Sequence, residues 1–144
     1  MTLLDAYPLV ALLADEPAAD EVEQLLREGE ASIAVINLCE AIDVCRRVRA
    51  LPAADVRAVL EPLLLVGALT AVASGEREAW LAADIRTRYY DRRARALSIA
   101  DCLLLAHAAA SGKRIATADP AVAEVARAEG LELVPLPSSR GERP

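Results

Sequence analysis

Histidine occurs once in 144 residues and cysteine three times, and these shortages remove whole classes of chemistry. His107 alone cannot build a histidine-rich metal site. It falls six positions after Asp101 in a run of alanines and leucines. At about 3.6 residues per turn that is roughly 240° around a helix, so the two side chains share no face and His107 reads as structural. Cys39, Cys45 and Cys102 form neither a CxxC pair nor an even set, which argues against a disulfide framework and a thiolate zinc site and for reduced core residues. The six glycines are scattered, with neither GxGxxG nor a Walker-type loop among them, so nucleotide binding by those routes is excluded. Runs of 18 or more apolar residues are absent, as is an apolar N-terminal stretch with a basic flank and a small-residue cleavage site. Neither membrane spanning nor secretion is indicated, and a cytoplasmic location is expected.

What is present suits one compact domain over residues 1–136 with a loose tail at 137–144. Apolar residues make up 55% of the chain and charged ones 26%, enough to bury a real core. No internal repeat or interior linker interrupts it. The net charge of −6 argues against a broad nucleic-acid-coating surface. One local exception is "RTRYYDRRAR", residues 86–95, with five arginines, one aspartate and two tyrosines. It reads either as a solvated helix end and loop or as a patch whose Arg86, Arg88, Arg92 and Arg93 grip phosphates while the tyrosines stack on bases.

Short apolar runs alternate with helical patterns. Strands are expected at 2–5, 31–37, 69–72, 114–117 and 131–136. Helices are expected over "PLVALLAD", 17–29, 38–50, 53–65, 77–89, 99–110 and 120–129. Strands that are continuously apolar and separated by helices indicate an α/β fold, a three-layer α/β/α sandwich around a mostly parallel sheet. The carboxyl ends of such strands lie along one edge, where ligands bind.

Acids fall at that edge. Asp5 ends the first strand, Glu40 lies in the first turn expected after the second, and Asp119 follows the fourth by two residues. Asp101 opens the apolar helix "IADCLLLAHAAA". Each has a capping explanation: Ser98 with Asp101 and Asn37 with Glu40 resemble capping boxes, Asp119 precedes Pro120, and Asp5 precedes a helix. Capping explains acids at helix starts but not their recurrence strand after strand where Ser and Thr would serve equally well. About four clustered carboxylates would take up protons or bind a cation. Oxygen ligands without histidine or thiolate favour magnesium or manganese, and the natural chemistry is metal-assisted phosphodiester hydrolysis. Thr117 in "ATAD" is either an ordinary strand residue or a hydrogen-bond donor to a carboxylate or a water at the site. Asp43 and Asp84 read as supporting or solvated acids.

Taken together, "LLDAYPLVALLADEP", "AVINLCEAIDVCRR" and "LSIADCLLLAHAAASGKRIATADPAVAEVA" resemble, in order and approximate spacing, the PIN domain ribonucleases. In particular they resemble the VapC-type toxins of toxin–antitoxin pairs, and the resemblance covers nearly the whole chain. It implies a PIN-like fold, a magnesium-dependent endoribonuclease (Mn2+ being possible) and Asp5, Glu40, Asp101 and Asp119 as metal-binding and catalytic acids. It also implies an RNA substrate, a homodimer, and a cognate antitoxin whose C-terminal segment lies across the active-site groove. The chain departs from the family in "DAY", where Tyr7 stands in place of a small hydroxyl residue. A catalytically inactive PIN-fold binding module acting through a protein partner is the competing expectation. A phosphotransfer receiver is discounted, because Asp5 stands alone after the first strand and no aspartate follows "LTAV". The apolar excess of "PLVALLAD" and "LEPLLLVGAL" suggests cover by another chain.

Overall fold

The computed structural model describes all 144 residues. Five strands form one sheet: β1 (Thr2–Leu4), β2 (Ala31–Ala34), β3 (Leu69–Val72), β4 (Arg114–Thr117) and β5 (Leu133–Pro135). Their order is β3-β2-β1-β4-β5, and every pairing is parallel, with Leu4 facing Ile33 on one side and Ala116 on the other. The sheet is therefore wholly rather than mostly parallel. Its central strands are buried on both faces and its edge strands are not, which explains why their sequences run continuously apolar.

The helices are α1 (Ala6–Ala14), α2 (Ala19–Arg27), α3 (Val35–Asp43), α4 (Ala53–Leu65), α5 (Glu76–Tyr89), α6 (Ile99–Ser111) and α7 (Pro120–Ala128), with a π turn over Val44–Val48 continuing α3. Successive strand residues point to opposite faces. Leu4, Ile33 and Ala116 join the core formed with α1 to α4. Leu3 and Ile115 join the core formed with α5 to α7. Two helical layers thus sandwich the sheet. The strand order reverses direction between β1 and β4, and at such a switch point the connections on either side diverge and leave a crevice at the strands' carboxyl ends.

The β2–α3 boundary departs most from the expectation drawn from sequence, while α2 and β5 are each a residue or two shorter at their ends. The β-branched run Val35 and Ile36 extends the apparent strand to residue 37, yet β2 ends at Ala34 and α3 starts at Val35; tertiary context overrides the local strand preference. Asn37 is therefore inside the helix and fully buried, with neither amide atom hydrogen-bonded. The capping box expected for Asn37 and Glu40 does not form, and Glu40 sits in the second helical turn. The tail is also less loose than its composition implies. Arg143 pairs with Glu21 at 2.7 Å and donates to the Pro135 carbonyl, and Arg127 donates to the Pro144 carbonyl.

No helix is long and apolar enough to cross a membrane.

Candidate functional site

Asp5, Glu40, Asp101 and Asp119 line one cleft of about 200 Å³, together with Tyr7 and Arg49 among others. The topology explains the meeting. Asp5 leaves the carboxyl end of β1 and Asp119 that of β4, the two strands flanking the switch point. Asp101 arrives from the first turn of α6 on one side of the sheet, and Glu40 from α3 on the other.

Three of the four acids are also helix caps, so capping and site formation are not alternatives here. Asp5 Oδ1 accepts from the Ala6 amide at 2.7 Å. Asp119 Oδ1 accepts from the Ala121 and Val122 amides, with Pro120 at the first helical position. Ser98 and Asp101 form a reciprocal capping box: Asp101 Oδ2 accepts from the Ser98 amide at 2.6 Å, and Ser98 Oγ accepts from the Asp101 amide at 3.0 Å. Each cap orients one carboxylate oxygen into backbone and fixes the side chain's direction. Helix N-termini also carry partial positive charge, which helps hold acids that would otherwise repel one another.

Thr117 is fully buried and ties two of these acids together. Its hydroxyl donates to Asp5 Oδ2 at 2.7 Å and accepts from the Asp119 amide at 3.0 Å. Of the two roles its place in "ATAD" allowed, the hydrogen bond to a carboxylate is the one that forms.

The electrostatics match a crowded acidic cleft. Asp5 is 6% exposed; burial, aided by the charges of Asp101 and Asp119 and opposed by the Thr117 and Ala6 hydrogen bonds, pushes its pKa up to about 7. Burial raises Glu40 as well, with Asp101, Asp43 and Asp119 adding to it. Asp101 is raised by burial against the pull of Ser98, with Asp119 raising it further and Arg86 lowering it. Asp101 and Asp119 thus act on both Asp5 and Glu40, as carboxylates gathered at one cleft do.

The fit to a divalent cation has two features for it and one against. Glu40 Oε2 is buried without any hydrogen-bond partner, an orphan that a cation would satisfy, and every acidic donor is a hard oxygen of the kind magnesium prefers. Against that, no group of three or more His, Cys, Asp or Glu side chains stands arranged to hold an ion. The physical reason lies in the hydrogen bonds above: carboxylates that repel turn toward amide donors, and each of the three caps keeps one oxygen there. The residues fit the ion in identity and in position at the cleft, with side-chain closure still required.

The arginines expected at the substrate are placed differently from the acids. Arg86 donates to the Leu97 carbonyl and stacks over the Tyr90 ring at 4.2 Å. Arg88 pairs with Glu129 at 2.7 Å, and Tyr89 donates to the same carboxylate, so both tie α5 to α7. Arg92 and Arg93 are exposed and do not line the acidic cleft. Asp43 is held by Arg47, three hydrogen bonds along one helical turn. His107 accepts or donates a hydrogen bond with Ser74 Oγ at 3.0 Å and is remote from the cleft lining. The residue that sequence reasoning missed is Arg49. Nothing around "RRVRALP" marks one arginine over its neighbours; the π turn selects it.

Comparison with known proteins agrees with this architecture. A chain of the VapBC2 crystal structure from Rickettsia felis, bound to a DNA fragment from its promoter, superposes with a TM-score of 0.68 at 16% identity, covering 92% of this chain and 96% of that one. FitAcB from Neisseria gonorrhoeae gives a TM-score of 0.62 at 19% identity over 92% and 96% of the two chains. A toxin–antitoxin complex from Klebsiella pneumoniae gives 0.59 at 16% identity over 83% and 87%. At these identities the likeness establishes the fold. No curated protein matches the sequence significantly. The family model described as the PIN domain matches residues 2–128, and with nearly the whole of the sandwich and all four acids inside that span, the chain belongs to the PIN domain family.

Proposed function

We propose that the chain is a metal-dependent endoribonuclease that hydrolyses RNA phosphodiester bonds and acts as the toxin of a toxin–antitoxin pair. The observation that carries this reading is the convergence of Asp5, Glu40, Asp101 and Asp119 on one cleft, with Glu40 Oε2 buried and unpartnered. These four side chains would hold Mg2+, or Mn2+ in its place. The bound ion would supply a lowered pKa for the attacking water and neutralise charge on the phosphate. The chain's own residues do the rest. Asp5, fixed from two sides by Ala6 and Thr117, gives the cleft a rigid floor. The Ser98 and Asp119 caps aim the remaining carboxylate oxygens, and the exposed Arg92 and Arg93 are available to the phosphates of a single-stranded or looped RNA.

Partners and place follow the same logic. The structural neighbours are described as VapBC, FitAB-type and toxin–antitoxin complexes, which supports an antitoxin partner for this chain; a homodimer in the cytoplasm completes the proposal. Exposed apolar residues on and after α4, Leu65 at 88% and Val66 at 75%, favour cover by another chain.

The competing reading, a catalytically inactive PIN-fold module acting through a protein partner, is opposed by the presence of all four acids in the cleft. One assay separates the two. Purified chain is incubated with single-stranded RNA in Mg2+, in Mn2+ and in excess chelator. Cleavage that needs the ion and is lost in Asp101→Asn supports the nuclease. Ion-independent cleavage that persists in that variant, or none under any condition, removes it.

A further inference from the structure

Arg49 stands where two cavities meet. It lines the acidic cleft and also a neighbouring one of about 320 Å³ whose walls include Tyr7, Asp119, Ser138 and Ser139. It is the only lysine or arginine on either wall. An RNA strand approaching four carboxylates meets a strongly repulsive field, which a divalent ion relieves only at the scissile phosphate. The phosphate next to it needs a cation supplied by the protein.

The fold takes trouble to place this side chain. The π turn Val44–Val48 ends α3, the Arg49 amide donates back five residues to the Val44 carbonyl, and Ala50 adopts φ 56°, a left-handed conformation that stops the helix. The wider turn rotates Arg49 away from the position an uninterrupted α-helix would give it. Glu16, just beyond α1, then grips it: Arg49 Nε and Nη2 lie 2.7 Å and 2.6 Å from the same oxygen, Glu16 Oε1. Glu16 is 13% exposed and Arg49 32%, so the guanidinium is oriented yet reachable. Its Nη1 donates to no protein group; the Tyr7 hydroxyl alongside is buried without a well-formed hydrogen bond and lies against Glu16, which adds to burial in raising the phenol to about 12. A planar fork fixed from behind with free donors in front suits a phosphate.

We propose that Arg49, held by Glu16, anchors the RNA phosphate adjacent to the one cleaved, and that the strand continues from the acidic cleft past Tyr7 into the Ser138 and Ser139 cavity. This assignment rests on the proposed ribonuclease function. Arg49 is a substrate-binding residue in it, and Glu16 a positioning residue that acts through Arg49.

The test measures binding as well as turnover. Fluorescence anisotropy follows a labelled oligouridylate binding to the Asp101→Asn chain at a fixed Mg2+ concentration, with and without Arg49→Ala, across a range of monovalent salt concentrations. Losing one phosphate contact on a single strand should lower the slope of log K against log salt by about 0.7. Affinity should fall about tenfold or more, the worth of a charge-assisted hydrogen bond. Arg49→Lys should restore the slope but only part of the affinity, since an ammonium lacks the planar fork. In the Mg2+ cleavage assay, Arg49→Ala in the otherwise unaltered chain should raise KM far more than it lowers kcat, and Glu16→Gln should do the same more weakly. A melting temperature that falls in Arg49→Ala while slope, affinity and KM stay put would overturn the assignment and make the Glu16–Arg49 pair a tie between α1 and α3. If the unaltered chain neither binds nor cleaves RNA, the proposed function itself fails, and this assignment with it.

Discussion

Replacing Asp5 by asparagine should make the metal-free protein more stable at neutral and alkaline pH. Asp5 is buried beside two further acids, and its pKa lies near 7 instead of 3.8. A carboxyl raised in this way stabilises the fold while protonated. Below pH 3.8 the folded and unfolded chains both keep the proton and nothing is lost. Between 3.8 and about 7 the unfolded chain releases it first, so stability falls as pH rises; above about 7 the loss is complete. At about 1.4 kcal/mol per pH unit, the ionised carboxylate costs the fold about 4 kcal/mol at pH 8. Asparagine keeps the shape and an acceptor, but its amide nitrogen must replace one of the two oxygens now serving Ala6 and Thr117, a mismatch costing about 1 kcal/mol. The net gain is about 3 kcal/mol, or roughly 6–12 °C in melting temperature for a chain of this size. Circular-dichroism melts of the two proteins in chelator at pH 4, 6 and 8 measure it. The gain should vanish at pH 4 and be largest at pH 8. Equal melting temperatures at pH 8, or a gain independent of pH, would refute the electrostatic picture of the cleft.

Other perturbations follow from the same geometry. Mg2+ should raise the melting temperature of the unaltered chain more at pH 8 than at pH 6, because the raised Asp5, Glu40 and Asp101 must lose protons to bind it; a larger shift at pH 6 would contradict this. Thr117→Val removes the hydrogen bond that lowers the Asp5 pKa, so the acid limb of the Mg2+-dependent pH–rate profile should move to higher pH; an unmoved limb assigns Thr117 to packing alone. Ser98→Ala removes the hydroxyl that accepts from the Asp101 amide but keeps the residue 98 amide that holds the Asp101 carboxylate, so it should cost about 1 kcal/mol in urea denaturation and leave cleavage largely intact. Arg88→Ala should lower stability by no more than about 1 kcal/mol, since Arg88 is half exposed, such pairs contribute little and Tyr89 still donates to Glu129, and should leave RNA affinity nearly unchanged.

The sequence carried the sandwich well because parallel central strands bury apolar residues on both faces, as Leu3 and Leu4, Ile33 and Ala34, and Ile115 and Ala116 do. It misplaced the start of α3 because Val35 and Ile36 prefer strands in isolation, and only packing decides otherwise. That error put Glu40 one turn too early and gave Asn37 a capping role it does not have. The acids were legible because alternating strands and helices imply a parallel sheet whose carboxyl ends share one edge; the caps that hold Asp5, Asp101 and Asp119, reciprocal only at Ser98 and Asp101, were legible too. Arg49 was not, since a π turn leaves no pattern in "VCRRVR" and its partner Glu16 is 33 residues away. The arginine stretch 86–95 drew attention by composition, yet Arg86 and Arg88 spend their donors on Leu97 and Glu129, contacts that no local spacing reveals.

The most direct measurement is a crystal of the chain soaked in Mn2+, with data collected at a wavelength where manganese scatters anomalously. The expected result is a peak inside the acidic cleft, coordinated directly by oxygens from at least two of Asp5, Glu40, Asp101 and Asp119, with Glu40 Oε2 no longer orphaned. A well-ordered cleft that stays free of manganese at saturating concentration would contradict the metal-dependent reading and leave three helix-capping aspartates and Glu40 sharing a pocket.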